Sequence, residues 1–277
     1  MVSTQTSETT LDKKSEESFI KNLLDRYGYA TLVLLALILI WEIGALVTHQ
    51  PERILPRPSV VAQTLIDQWQ ILTIHGSVTL IEAGLGFLLS VVVGIPLAIT
   101  IVYSKNLEKV IYPLLLASQA VPKIAIAPLF IIWLGFGLTP KIIIAFLIAF
   151  FPIVIDTVVG LRSIDPEMLQ LARSMGTDGI KSFIKLRLPN ALPNVFGGLK
   201  VAITLAVVGA IVGEFVGADQ GLGYLLQVAS GNLDAPLLFA AMVFLSLIAI
   251  FLFLIIEWAE RMILPWHISE RSRHMEQ

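Results

Sequence analysis

The sequence predicts an all-α membrane protein with six transmembrane helices, and three observations predict it. Of 277 residues, 56% are hydrophobic and only 14% charged, with a mean hydropathy of +0.83. A soluble domain is about 45–50% apolar and about 25% charged, so the excess here must be solvated by a bilayer. The excess is gathered into six runs of about 19–25 residues, each enough to cross roughly 30 Å of hydrocarbon as a helix. Lys and Arg are shared unequally between the segments joining those runs. Several function classes fall away. Net charge −2 leaves no footprint for nucleic acid. Zero cysteines exclude disulfides, thiolate metal sites and a cysteine nucleophile. His49, His75, His267 and His274 make no helical metal pair. No cofactor, metal or catalytic group is expected, and a soluble enzyme is excluded.

Residues 1–28, rich in Ser, Thr, Glu and Lys, predict a largely disordered tail. The first apolar run starts late and has no small-residue cleavage site after it, so it is not a secretory signal. The spans follow at 29–47, 78–102, 110–134, 141–161, 195–216 and 237–258, in one membrane domain over 29–266 with a short tail at 267–277. Fourteen of the 19 Lys and Arg fall on one side of these spans and three on the other. The positive-inside rule therefore places both termini, and the long loop at about 162–192, in the cytoplasm. Between the first two spans, Pro51, Pro56 and Pro58 keep the chain extended. Ser59 is then placed to cap a helix to about Leu72 with Val60, Val61, Leu65, Ile66 and Trp69 as its apolar stripe. That helix lies on the outer membrane surface or packs on the ends of its neighbours.

The cytoplasmic loop predicts a helix, a corner and a second short helix. Asp165 is a good N-cap, Pro166 suits the first helical position and Glu167 the positive helix end. Met168, Leu171, Ala172 and Met175 recur at i, i+3, i+4, i+7, and Gly176 is placed to end the helix left-handed. The second helix starts at Thr177 or Asp178, carries Ile180, Phe183 and Ile184 on one side, and ends before Leu188-Pro189. Its stripe either rests on the protein's own bundle or lipid surface, or docks a cytoplasmic partner.

Ionisable groups at bilayer depth are expensive and therefore functional candidates. Lys123 lies between Pro122 and Pro128 in a span that those prolines kink or unwind. It lines a translocation path, or pairs with Asp156 or an inward carbonyl and only holds helices together. Asp156 lies near the inner end of the fourth span and Glu214 near the outer end of the fifth. Gly209, Gly213 and Gly217 beside Glu214 allow close helix approach, which makes the fifth span central. Glu214 lines the path or a gate, or makes a structural hydrogen bond. Glu82 is expected to reach interfacial water at the start of the second span. Trp41, Trp133, Trp258 and Trp266 read as interfacial anchors. The outer loop at 218–236, with Gly221-Leu222-Gly223-Tyr224 entering a short helix, is a gate or a bare turn.

Gly176, nine residues, then Leu186-Arg187-Leu188-Pro189 resembles the EAA loop of bacterial ABC-importer permeases, EAA-x3-G-x9-I-x-LP. The EAA triplet aligns with Gln170-Leu171-Ala172, followed by Arg173; glutamine stands where the family has glutamate, and the nearest acid is Glu167. The resemblance extends over roughly 50–266. Leu55-Pro56-Arg57-Pro58 is similar to the LPSP element of the sulfonate, taurine, nitrate and bicarbonate branch. Val121-Pro122, Ala127-Pro128-Leu129, Trp133 to Gly137, Phe150-Phe151-Pro152-Ile153, Gly213-Glu214 and Gly221-Leu222-Gly223 resemble further family segments. The resemblance implies a type I ABC-importer permease fold and a homodimer. It also implies ABC ATPase subunits gripping each loop through Glu167, Gln170, Ala172, Arg173, Gly176, Leu186, Leu188 and Pro189. A periplasmic or lipid-anchored binding protein would deliver substrate to the outer face, and the path residues read from the spans themselves are Pro122, Lys123, Asp156 and Glu214. No GxxxxGK[ST] motif is present, so ATP hydrolysis belongs to a partner chain. Glu82 stands where sulfonate-type permeases usually have arginine. With Gly223-Tyr224-Leu225-Leu226 and Leu233-Asp234-Ala235-Pro236 it resembles permeases for thiamine-type pyrimidine precursors or related vitamins. The alternatives are a sulfonate, taurine, nitrate or bicarbonate importer, or an ion-driven secondary transporter.

Overall fold

The computed structural model describes residues 28–29, 31–48, 51–177 and 179–265, and for 105, 116 and 173 the backbone alone. Both predicted tails (residue 28 excepted), Trp266, Asp178 and the side chain of Arg173 lie outside the described residues. Among the described residues the regular structure is helical throughout. The helices are α1 (Thr31–Val47), α2 (Pro58–Asp67), α3 (Trp69–Tyr103), α4 (Lys105–Gln119), α5 (Lys123–Leu134), α6 (Leu138–Arg162), α7 (Pro166–Ser174), α8 (Gly179–Ser182), α9 (Leu188–Gly217), α10 (Leu222–Gly231) and α11 (Ala235–Ile263). Among the described residues, four rods are long and apolar enough to cross a membrane, against the six spans expected: α3, α6, the run Gly179–Gly217 and α11. The pair α4–α5 makes a fifth if counted as one bent span, and α1 is shorter.

Three boundaries differ from expectation. The helix expected to run to Leu72 turns at Gln68 (φ −101°, ψ 17°) and its last residues belong to α3. Ser59 does not cap it; its backbone N–H and hydroxyl donate to the Glu42 carboxylate at 3.0 and 2.8 Å, tying α2 to α1. Val61 of α2 is buried with Leu72, Leu222 and Ala240, which is the neighbour-packing alternative, while Ile66 and Trp69 stay exposed. The third span breaks over Ala120 to Pro122, and its halves meet at 96°. The short loop helix does not stop before Leu188-Pro189. A widened turn, Phe183–Arg187, carries it into α9 as one run, with Pro189 in the first turn of α9. An i→i+5 turn removes the need for the hydrogen bond that proline lacks.

Small residues set the packing. Gly160 abuts Ala191, Gly198 abuts Asp156, Gly209 abuts Ala145 and Gly213 abuts Lys141, so α6 and α9 run antiparallel in close contact. Gly86 on Ala145 and Gly94 on Ile153 make α3 and α6 parallel. Because α3 and α6 share a direction, the bent pair α4–α5 must carry the chain back between them. The fifth span is thus central, as its glycine row predicts. A β-carbon on Gly209 would stand 2.5 Å from the Ala145 α-carbon, where no flexible side chain can yield. Gly209→Ala is therefore expected to destabilise by about 1–3 kcal/mol through overpacking. Gly197→Ala, with open space around it, is expected to be neutral or slightly stabilising. Thermal melts of the two variants in detergent check this.

Candidate functional site

Three constellations are available: an exposed elbow, a polar cavity and a buried latch at the opposite end. In the elbow, Asp165 Oδ1 accepts the Glu167 N–H at 2.8 Å and α7 opens with Pro166. Gly176 takes φ +74°, so the Thr177 N–H turns back to the Ala172 carbonyl at 3.1 Å, the six-to-one bond of a left-handed helix end. The Thr177 hydroxyl donates to the same carbonyl. Ala172 and Ile164 are buried, whereas Met168, Leu171, Met175, Ile180 and Ile184 are exposed. The apolar stripe therefore has no cover within the described chain. Glu167 and Gln170 are exposed beside it, and Leu186, Leu188 and Pro189 are half-buried where the elbow enters α9. The base is tied to the bundle. Arg162 pairs with Glu108 of α4 at 2.5 Å, Tyr103 meets Phe183 edge-on at 5.5 Å, and Asn190 donates to Ser163 at 2.9 Å.

The cavity forms where the 96° bend swings α5 away from α4 against α6. It has a volume of about 330 Å³, and Gln119, Lys123, Phe151, Pro152 and Asp156 are in its wall. Lys123 and Asp156, whose pairing is the alternative to a path role, share this wall without forming an ion pair; Pro122 is the residue just before α5. Lys123 Nζ lies 3.9 Å above the Phe151 ring. Among the described residues, neither Lys123 nor Asp156 has an ion-pair or hydrogen-bonding partner. Lys123 is also the first residue of α5, where the helix dipole disfavours a cation.

Glu214 lies away from that cavity, fully buried. Its carboxylate accepts the Thr79 hydroxyl at 2.6 Å and the Gly223 N–H at 2.5 Å. Thr79 accepts the Leu222 N–H at 2.8 Å, and His75 Nδ1 accepts the Gly221 N–H at 3.1 Å. The first three N–H groups around the start of α10 are thus held by α3 and α9 side chains. Gly221, at φ +113°, leaves room for the Glu214 carboxylate. Leu222, Leu225, Leu226 and Ala229 are buried, so the loop at 218–236 holds a seated helix rather than a bare turn. Glu82 does not reach interfacial water. It is fully buried and accepts from Lys141 Nζ at 2.9 Å, because α3 starts earlier than expected and Lys141 lies inside α6. Sequence reasoning missed this pair and the roles of Thr79 and His75. The signal was His75, Thr79 and Glu82 at i, i+4, i+7, a polar stripe on an otherwise apolar helix. Trp41, expected at an interface, packs on Phe239 at 5.4 Å. Trp133 and Trp258 are exposed.

The family described as binding-protein-dependent transport system inner membrane component matches residues 90–267. The formylaminopyrimidine transport permease protein ThiX of Halalkalibacterium halodurans is 39% identical over 237 residues, covering 85% of this chain and 94% of that protein. The riboflavin transport system permease protein RibX of Chloroflexus aurantiacus is 39% identical over 255 residues, covering 89% and 94%. In fold, the chain is similar to an inward-facing structure of the MetNI methionine ABC transporter. The TM-score is 0.58 at 19% identity, over 66% of this chain and 92% of that one.

Proposed function

The chain belongs to the inner membrane components of binding-protein-dependent transport systems, the permeases of ABC importers, and from that premise we propose how it works. It is a multi-pass transport subunit. In our reading the membrane domain covers 29–266, and both tails and the loop at 162–192 face the cytoplasm. Two copies pair, separate ATPase subunits grip the two elbows, and a periplasmic or lipid-anchored binding protein docks at the α10 end. The observation that carries this is the elbow itself, a rigid corner with an uncovered apolar stripe whose second arm runs unbroken into the central helix α9. ATP binding draws the elbows together, α9 and α6 move as rods, and the bundle passes from an inward to an outward packing. Pro122, Lys123 and Asp156 line the path; Glu214 acts at the outer gate by holding α10.

The substrate in this reading is an uncharged nitrogen heterocycle, a thiamine-type pyrimidine precursor or a related vitamin. Support comes from ThiX and RibX, whose names state formylaminopyrimidine and riboflavin. The test is uptake by inverted-free, right-side-out vesicles holding permease, ATPase and binding protein. Formylaminopyrimidine uptake is expected to require ATP and to survive collapse of ion gradients. Uptake that persists without ATP would favour the ion-driven alternative, and selective uptake of taurine would favour the sulfonate-type one.

A further inference from the structure

We infer that the cavity between α4, α5, α6 and α9 is an intramembrane binding site for a single-ring, amino-substituted, uncharged heterocycle, held between Asp156 and Lys123. The inference rests on the importer reading above and adds the site and the recognition chemistry. Two opposite charges share one cavity, and neither is neutralised by a partner among the described residues. An ionisable group at membrane depth is costly to hold there, so two uncompensated ones in one cavity point to a ligand that completes them.

The wall offers acceptors and donors together. Asp156 offers two oxygens and Gln119 one. Pro152 has no N–H to give to the carbonyl of Ile148, and both residues are in the wall. The donors are the Lys123 ammonium and the Gln119 amide. An aminopyrimidine is complementary to that inventory: exocyclic N–H groups donate to Asp156, and a ring nitrogen or formyl oxygen accepts from Lys123. A sulfonate would place its charge beside the unpaired Asp156 carboxylate. The volume, about 330 Å³, is at the small end of the range for small-molecule pockets, about 300–1,000 Å³, and favours one ring over three. Gly198 positions the carboxylate, since a β-carbon there would stand 2.8 Å from Asp156 Cβ and 3.0 Å from Oδ2.

The chain contains no cysteine, which permits a direct test. Ile155, also in the wall, is replaced by cysteine in the assembled importer, and its labelling by N-ethylmaleimide is timed in membrane vesicles. Formylaminopyrimidine is expected to slow labelling at least threefold and taurine to leave it unchanged. Asp156→Asn, Lys123→Gln and Gly198→Ala are each expected to abolish the protection and to cut formylaminopyrimidine uptake tenfold or more. Leu205→Cys, in the same wall, is the second reporter if the first variant does not assemble. Protection that survives Asp156→Asn and Lys123→Gln overturns the site. So does absence of protection in vesicles whose wild-type counterparts take up formylaminopyrimidine, and the importer reading then stands without it. Wild-type vesicles that take up taurine and not formylaminopyrimidine overturn the substrate reading, and this proposal with it.

Discussion

Lys141→Met is expected to lower stability by about 3–5 kcal/mol, the usual loss when one member of a buried ion pair is removed. Lys141 and Glu82 are almost completely enclosed, with side chains 5% and 0% exposed. Glu82 Oε1 has the ammonium, and among the described residues Oε2 has no hydrogen-bonding partner. Without Lys141 the carboxylate is left alone at membrane depth, near the equally buried Glu214. A buried pair is not in itself strong stabilisation, because desolvating both ions offsets most of their attraction. The double variant Glu82→Leu/Lys141→Met is therefore expected to recover most of the loss, although each single change costs more. Thermal melts of the detergent-purified importer for the two singles and the double measure the coupling. A double variant as unstable as the sum of the singles would contradict the ion pair. The same pair fixes register, since it joins α3 to α6 on the face where Gly86 meets Ala145.

What could be read from the sequence follows from how local each signal is. The long spans are legible because hydrocarbon demands some twenty apolar residues with every backbone group satisfied internally. The α7 elbow is legible because its cap, Asp165, and its corner, Gly176, act within their own turn. Boundaries failed where a local rule was overridden by packing. The second span reads as beginning at 78, yet α3 starts at Trp69 and runs through Gly76, where Phe244 and Ile248 of α11 fill the space beside the glycine. Leu188-Pro189 reads as a stop, yet a widened turn absorbs the proline. The latch was illegible as a set. Thr79 and Glu214 are 135 residues apart, and Glu82 and Lys141 are 59 apart. Periodicity can mark each as a polar residue on an apolar helix but cannot choose its partner. Lys123 and Asp156 were individually visible as charges at depth. Their common cavity depends on a 96° bend that prolines announce without giving its angle.

Gly176→Val is expected to uncouple ATP hydrolysis from uptake while leaving insertion and folding intact, with transport per ATP falling tenfold or more. At φ +74° a β-branched residue is strained by about 1–3 kcal/mol. The space around a β-carbon at this position is open within 4 Å, so the effect is conformational and confined to the corner. The Thr177 N–H would leave the Ala172 carbonyl, and the angle between α7 and α8 would no longer be defined. An ATPase gripping the stripe could then still close, but its motion would be lost in a loose corner rather than passed into α9. Asparagine tolerates the left-handed region far better than valine, so Gly176→Asn is expected to keep most of the uptake. That contrast separates backbone geometry from mere loss of glycine. Paired measurement of ATP hydrolysis and uptake in reconstituted vesicles reads it directly. Transport per ATP at the wild-type level in the valine variant would show that the corner transmits no force.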